Sequence, residues 1–297
     1  MSTPVTVRSA LQTATDRLRA VGVPDPQRDA RVLLRWAAGW TAAQLAAEPD
    51  APLPVDAAAR FETAVAARVE RRPVSQIIGR RAFFGRDFIV TENVLDPRPE
   101  SETLVAAALA HADKDAPLRV LDLGVGSGCL LLSALAERPR ATGLGIDASA
   151  AALAVAARNA DQLGLADRVT LRQGDWLDGV AERFDLILCN PPYVTDAEYA
   201  ALAPEPRLWE PRDALTPPAD GRGDDGLSVY RALIPRLGDV LAEGGAAFFE
   251  LGRGQACAVA AIAATAGFKA RALADLGGVD RVVAVANAQR DVNSDEI

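Results

Sequence analysis

Hydrophobic positions along this chain follow two different periods. Up to residue 72 they recur at helical spacing: Leu11, Ala14, Leu18 and Val21 share one face, and Phe61, Val65 and Val69 share another. Pro24 and Pro26 separate the first two helices, and Pro52 and Pro54 precede the last. Residues 1–73 are therefore expected to form a small helical bundle, a substrate-docking domain or a plain scaffold. From Lys114 onward, short apolar runs alternate with helical patterns. Residues 119–123, 142–146, 169–173, 185–189 and 246–251 read as strands, 185–189 as a buried parallel one, and 130–137, 149–163, 227–241 and 255–266 read as helices. Two last strands, 270–274 and 281–285, are joined through Gly277-Gly278 with no room for a helix, which makes one strand antiparallel. The expectation is an α/β fold with a doubly wound, Rossmann-like, seven-stranded sheet and right-handed crossovers.

The stretch between these regimes has another texture. Gln76-Ile77-Ile78-Gly79 and Phe83 to Val90 read as two strands around glycine-containing turns, a β-hairpin linker over 74–99. Asp96-Pro97-Arg98-Pro99 then breaks the chain, a helix follows near Thr103 to His111, and residues 100–297 make up the large domain. Val194 to Gly226, with five prolines and three glycines, is expected to be an irregular segment, either a flap beside a substrate entrance or disordered.

Candidate chemistry gathers at the carboxyl ends of the expected strands. Asn190-Pro191-Pro192-Tyr193 follows the fourth strand. An amide or nucleobase nitrogen has a delocalised lone pair and needs two acceptors to hold its N–H groups. Asn190 can supply a side-chain oxygen, Pro191 a carbonyl in a rigid frame, and Tyr193 a flat face. The bland alternative is that Asn-Pro only opens a loop. At the first strand end, Gly124-Val125-Gly126-Ser127-Gly128 allows a tight turn and close backbone approach of a ligand at a helix N-terminus. Its spacing is not the Gly-x-Gly-x-x-Gly of dinucleotide binders. Asp147 ends the second strand, where a carboxylate can grip ribose hydroxyls, or cap a helix. Asp175 and Trp176 follow the third, suited to an adenine amino group and ring, although Trp176 could simply be a core aromatic.

Composition narrows the chemistry further. With His111 the only histidine, a multi-histidine metal site is excluded, and its neighbours suggest a surface residue. Cys129, Cys189 and Cys257 are too scattered for disulfides or a Cys-x-x-Cys site and are expected to be buried as small hydrophobes. No apolar run is long enough to span a membrane, and a cytoplasmic protein is expected. The formal net charge is −8, yet residues 1–75 hold 10 Arg against 8 Asp and Glu, so the acidic excess lies in the catalytic portion. That is a poor match for a polyanion and lowers the odds of a nucleic-acid substrate. The absence of heptads or a long exposed apolar stripe leaves a monomer as the default.

These motifs together resemble class I S-adenosylmethionine-dependent methyltransferases. Within them the chain is similar to the protein-(glutamine-N5) methyltransferases of the HemK/PrmC type, which modify peptide chain release factors. The likeness covers nearly the whole chain: the helical N-terminal region, Arg72-Pro73, Gly79 and Phe83, Pro97 to Glu102, Asn190 to Tyr193, Glu210-Pro211, Ala214-Leu215, Asp225-Gly226, Glu250 with Gln255, Asp275-Leu276 and Asp280-Arg281. The departures are local: Gln76 where an aromatic or histidine is usual, Asp96 where Ile is common, and Ser101 where Thr is common.

The resemblance implies S-adenosylmethionine bound by Gly124, Val125, Gly126, Ser127, Gly128, Asp147, Asp175, Trp176 and Asn190, with S-adenosylhomocysteine as product and no metal. It implies catalysis by Asn190, Pro191 and Tyr193. Substrate contacts would come from Asn190, Pro191, Pro192 and Tyr193, with Arg98 and Glu102 as further candidates that could equally form a linker salt bridge. The substrate would be the glutamine of a Gly-Gly-Gln loop in class 1 release factors. Three rivals share part of this logic: a ribosomal-protein glutamine methyltransferase, an adenine-N6 nucleic-acid methyltransferase, and a non-catalytic adapter that binds S-adenosylmethionine.

Overall fold

In the computed structural model, which describes residues 5–221 and 224–287, capping residues set the helices of the N-terminal region. Thr6 accepts from the Ser9 N–H to start α1 (Val7–Ala20). Asp25 does the same from Arg28 for α2 (Pro26–Ala38), so Pro26 is the first residue of that helix, where its missing N–H costs nothing. Gly39 ends α2 at φ 68°. α3 (Ala42–Ala47) and α4 (Val55–Val69) follow. Leu18, Leu33, Leu34, Phe61 and Val65 form the bundle core, and Leu11 and Val69 lean against it. Val21, expected on the buried face of the first helix, lies past its end and is exposed.

Gln76 to Ile78, expected as a strand, belong to the short helix α5 (Val74–Ile78). Pro73 presets its first turn, Ile77 and Ile78 pack on the bundle core, and Gly79 at φ 73° stops it. The hairpin is correspondingly smaller: β1 (Arg80–Phe83) and β2 (Arg86–Ile89) turn through Phe84-Gly85. Phe83 and Phe88 are buried in the core of the larger region.

From there the elements run α6 (Glu102–Ala110), β3 (Arg119–Leu123), α7 (Cys129–Glu137), β4 (Thr142–Asp147), α8 (Ala150–Gln162), β5 (Val169–Gln173) and β6 (Phe184–Cys189). They continue with α9 (Asp196–Ala201), α10 (Pro204–Trp209), α11 (Ser228–Leu233), α12 (Leu237–Val240), β7 (Leu241–Glu250), α13 (Ala256–Thr265), β8 (Phe268–Ala274) and β9 (Asp280–Asn287). Seven strands form one sheet in the order β5-β4-β3-β6-β7-β9-β8, with β9 antiparallel to both neighbours and the other pairs parallel. Both faces are buried. Leu186, Leu188 and Phe248 enter one core; Ile187, Cys189 and Phe249 enter the other. Strand order reverses between β3 and β6, which opens a crevice at their carboxyl ends.

Three expectations are corrected here. The single helix over 227–241 is broken at residues 234–236 by Pro235, which cannot donate within a helix, and Leu241 already belongs to β7. β7 runs through Gly244-Gly245, where its pairing with β6 shifts register, and Gly245 permits the close approach there, since a Cβ would come within 2.8 Å of the Phe184 carbonyl oxygen. Of the three cysteines, Cys189 is buried, Cys129 is half-buried and Cys257 is exposed on α13, turned away from the face that packs through Val259.

The chain divides into two compact units, Met1–Arg80 with Ala203–Trp209, and Arg81–Leu202 with Glu210–Ile297. In the segment after Tyr193, a Thr195–Glu198 capping box begins α9; Arg222 and Gly223 of the expected flap lie outside the described residues. Within the first unit, Glu205 bonds Arg71 at 2.8 Å and Arg68 at 2.9 Å, and Arg68 also holds Asp29 at 2.8 Å. Gln76 Nε2 donates to the Trp209 carbonyl oxygen, and Trp209 Nε1 to that of Glu70. Arg68 is 5 % exposed, so removing it takes the cation from buried Asp29 and leaves Glu205 with Arg71 alone. Arg68→Ala is expected to cost about 3–5 kcal/mol, read as a lower urea midpoint; an unchanged midpoint would contradict the role given to this network.

Candidate active site

β3 hands over to α7 through the glycine-rich turn. Gly124, Gly126 and Gly128 have φ of 74°, 53° and 81°, the left-handed region that favours glycine. Gly124 and Val125 N–H both donate to the Ile146 carbonyl oxygen at 2.9 Å, so the turn is tied to the end of β4. Asp147 completes that tie: Oδ2 accepts from Gly126 N–H and Oδ1 from Ser149 N–H, both at 2.9 Å. Ser149, not Asp147, caps α8. Each Asp147 oxygen keeps a further lone pair for a hydroxyl donor. Trp176 packs on the core on one side, and on the other its ring lies 3.6 Å from where a Gly124 Cβ would be. Its φ is 50°, a conformation tryptophan seldom adopts and one that strain-tolerant functional sites collect. Asp175, beside it, is exposed. Ser127 is buried, and its carbonyl oxygen accepts from Nδ2 of Asn159 at 2.8 Å.

Beneath the turn lies Asp122, wholly buried. Oδ2 accepts from Leu131 N–H at 3.2 Å, while Oδ1 has no partner. Burial pushes this carboxyl up to about 7, the Leu131 N–H opposes the rise, and Asp147 adds to it.

The fourth strand end carries Asn190 to Tyr193. Pro191 and Pro192 are buried; Asn190 and Tyr193 are half-buried. Asn190 Nδ2 donates to Ser101 Oγ at 3.4 Å. Ser101 Oγ donates to Glu250 Oε2, and the Tyr193 hydroxyl donates to Glu250 Oε1 at 3.2 Å. Glu250 is 2 % exposed; burial raises its pKa, and the hydrogen bonds from Ser101 and Tyr193, with Arg281, restrain the rise. The Tyr193 phenol is raised in turn, first by burial and then by Glu250. Gln255 Nε2 donates to the Tyr193 carbonyl oxygen at 3.3 Å and its Oε1 accepts from Gly252 N–H. Gly226 lets the chain pass this point, since a Cβ there would fall 2.2 Å from the Tyr193 carbonyl oxygen.

Of the remaining candidates, Arg98 is half-exposed and donates to Glu210 Oε2 at 2.6 Å. The Glu210 carboxyl is nevertheless held at about 7, because burial outweighs Arg98. Glu102 accepts from Phe84 N–H at 2.7 Å and so caps the hairpin turn. His111 is half-buried, with Nε2 3.1 Å from the Gly244 carbonyl oxygen and its ring edge-on to Phe248. Among the described residues no group of three or more His, Cys, Asp or Glu could hold a metal ion, and no helix is long and apolar enough to cross a membrane.

Known proteins match this arrangement along most of the chain. A family profile described as PrmC N-terminal domain matches residues 9–79, and one described as methyltransferase small domain matches residues 101–248. A release factor glutamine methyltransferase from Cereibacter sphaeroides is 50% identical over 275 residues, which cover 92% of this chain and 96% of that protein. This chain belongs to the release factor glutamine methyltransferases. A second member, from Caulobacter vibrioides, is 44% identical over 281 residues, 94% of this chain and 96% of that one. Among solved structures, a methyltransferase from Pyrococcus furiosus is similar in fold, with a TM-score of 0.50 and 16% identity over 69% of this chain and 90% of that chain.

Two site residues carried no role in the sequence reading. Ser101 and Glu250 were visible only as part of the family likeness, since a serine before a helix and a glutamate ending a strand are individually ordinary. Asp122 had one usable signal, a carboxylate inside an otherwise apolar buried strand. A carboxyl held near 7 when folded binds an extra proton between the unfolded carboxylate range and about 7. In that window stability falls as pH rises, and Asp122→Asn is expected to flatten the decline. Thermal midpoints of both proteins at pH 5 and pH 8 check this; parallel curves would refute it.

Proposed function

We propose that this chain transfers a methyl group from S-adenosylmethionine to the side-chain amide nitrogen, N5, of the glutamine in the Gly-Gly-Gln loop of class 1 peptide chain release factors. The names of its relatives support the release factor as substrate and methylation of glutamine as the reaction. The observation that carries the reading is Asn190. Its Nδ2 donates one hydrogen to Ser101, which turns its Oδ1, the acceptor a substrate N–H needs, away from Ser101.

Support for S-adenosylmethionine as the donor comes from the residues at the first three strand ends. Gly124 and Gly126 keep open a space that side chains would fill, Trp176 offers a ring beside Gly124, and Asp147 retains acceptor capacity for ribose hydroxyls. The N-terminus of α7 suits the carboxylate at the amino-acid end, the Gly126 and Gly128 N–H groups being held by Asp147 and the Val125 carbonyl oxygen. In this reading exposed Asp175 accepts from the adenine amino group. When bound, this cofactor supplies an electrophilic methyl group and leaves as S-adenosylhomocysteine.

The protein's own work is positioning. Asn190 Oδ1 and the Pro191 carbonyl oxygen hold the two N–H groups of the substrate amide and thereby aim the nitrogen lone pair. As a new N–C bond forms and nitrogen gains positive charge, the same two acceptors stabilise it. One N–H proton is then acidic enough to leave without a strong base. Tyr193 covers the amide plane, and Arg98, paired with Glu210, is the charged group this reading assigns to substrate contact. The reading gives no role to a metal, requires no partner copy and suits a cytoplasmic enzyme meeting its release factor directly.

The test is labelled-methyl transfer to purified release factor, ribosomal protein and DNA in parallel. Label is expected on the release-factor glutamine; label on either other substrate instead, or on none, would overturn the proposal. Asn190→Ala should lower turnover by about 10²–10³-fold while S-adenosylmethionine binding, measured by calorimetry, persists. Near-wild-type turnover would remove Asn190 from the mechanism.

A further inference from the structure

Side-chain amides are ambiguous, since either end of Asn190 could face a substrate amide, and only the oxygen end can accept from it. Something must choose. The structure offers a chain of hydrogen bonds whose direction is forced from one end. Glu250 comes from the end of β7, Ser101 from the turn before α6, and Asn190 and Tyr193 from the end of β6. Cys189 pairs with Phe249 in the sheet, so Asn190 and Glu250 leave neighbouring strands at the same level.

We propose that Glu250 is a positioning residue that sets the polarity of the Asn190 amide through Ser101. An ionised carboxylate is acceptor-only, so both hydroxyls beside it must donate to it: Ser101 Oγ to Oε2 and Tyr193 to Oε1. With its single hydrogen committed, Ser101 Oγ can only accept along its other direction. Asn190 therefore turns Nδ2 toward Ser101 and Oδ1 away from it. The rotamer in which Oδ1 faced Ser101 would set two acceptors against each other in a buried place, at the full penalty of an unmade hydrogen bond. The same carboxylate fixes the Tyr193 hydroxyl, so one buried charge orients both polar side chains of the motif. Glu250 is itself held: its backbone carbonyl oxygen accepts from the buried Tyr230 hydroxyl at 2.7 Å.

Burial favours the protonated form of Glu250, which would become a donor and release the constraint on Ser101 or Tyr193. Arg281 faces the carboxylate and favours ionisation, Glu100 opposes it, and the Tyr193 and Tyr230 phenols and the Cys129 and Cys189 thiols surround it uncharged. The raised pKa places the switch above the ordinary carboxylate range, with activity lost as pH falls through it.

This inference rests on the amide-methylation reading above, and the test separates the two. Wild-type enzyme must first transfer label to release factor; if it does not, the function fails rather than the relay. Given that transfer, Glu250→Gln, nearly isosteric but with an N–H₂ group that must donate, is expected to lower kcat about 10- to 100-fold. The KM for release factor should move far less, and S-adenosylmethionine affinity and the thermal midpoint should hold. Ser101→Ala should lose a similar factor, and Ser101→Thr, which keeps the hydroxyl, should retain most turnover. The low-pH limb of kcat should vanish in Glu250→Gln. Wild-type kcat in Glu250→Gln or in Ser101→Ala would overturn the proposal. So would a fall in Glu250→Gln matched by lost cofactor binding, or Ser101→Thr behaving as Ser101→Ala.

Discussion

In-register termination of the parallel strands is the constraint on which the rest of this structure depends. Leu123 lies opposite both Ile146 and Cys189, and Cys189 lies opposite Phe249. The next residue along each strand therefore emerges on the same edge: Gly124, Asp147, Asn190 and Glu250. A slip of one residue on any strand would turn its side chains to the opposite face and remove one member of the set. The register is secured by burial on both faces: β3, β6 and β7 offer apolar side chains to both cores, and β4 offers Leu144 and Ile146 to one of them. Close packing under the turn adds to it. A Cβ on Gly145 would meet Val125 at 2.8 Å and Leu171 at 2.9 Å, so the turn can sit this low only above a glycine.

Such an edge is where backbone polar groups run out of ladder partners, and the chain uses them to tie strand ends together. Gly124 and Val125 share the Ile146 carbonyl, and Gly174 N–H reaches the carbonyl oxygen of Asp147. Asn159, fully buried on α8, joins three parts. Its Oδ1 accepts from Ile89 N–H at 2.7 Å, and its Nδ2 donates to the carbonyl oxygens of Ile89 and Ser127. One side chain thus fastens the β-hairpin to the glycine-rich turn. The cost of the crevice appears in its carboxyls. Asp122, Glu210 and Glu250 are all raised chiefly by burial, although Leu131 N–H, Arg98 and the Ser101 and Tyr193 hydroxyls respectively oppose the rise. Desolvation of this size is a standing penalty on the folded state, tolerated where it fixes the direction of hydrogen bonds around a reacting group.

Sheet strands were legible because their signal is local: a short run rich in apolar residues, bounded by turn formers, describes a strand with no further information. The helix over 227–241 was misread because its periodicity continues past Pro235, and a pattern of side chains does not register a missing N–H. Gln76-Ile77-Ile78 was misread for the converse reason. Three residues fit a strand or one helical turn equally well, and packing of Ile77 and Ile78 on the bundle decided. The glycines at 244 and 245 hid the first half of β7, where pairing with β6 overrides weak strand propensity.

Sequence alone determined the alternation of strands and helices in the large domain, the single antiparallel strand, and which residue types stand at each strand end, because alternation, spacing and glycine placement are properties of neighbours along the chain. Only the tertiary structure decided which of those residues share a hydrogen bond. Ser101 and Glu250 are 149 positions apart, and no local pattern links a serine before a helix to a glutamate ending a strand. Their meeting follows from sheet order and register, which are settled by burying both faces at once. The direction in which Asn190 points is therefore a property of the fold rather than of its own motif.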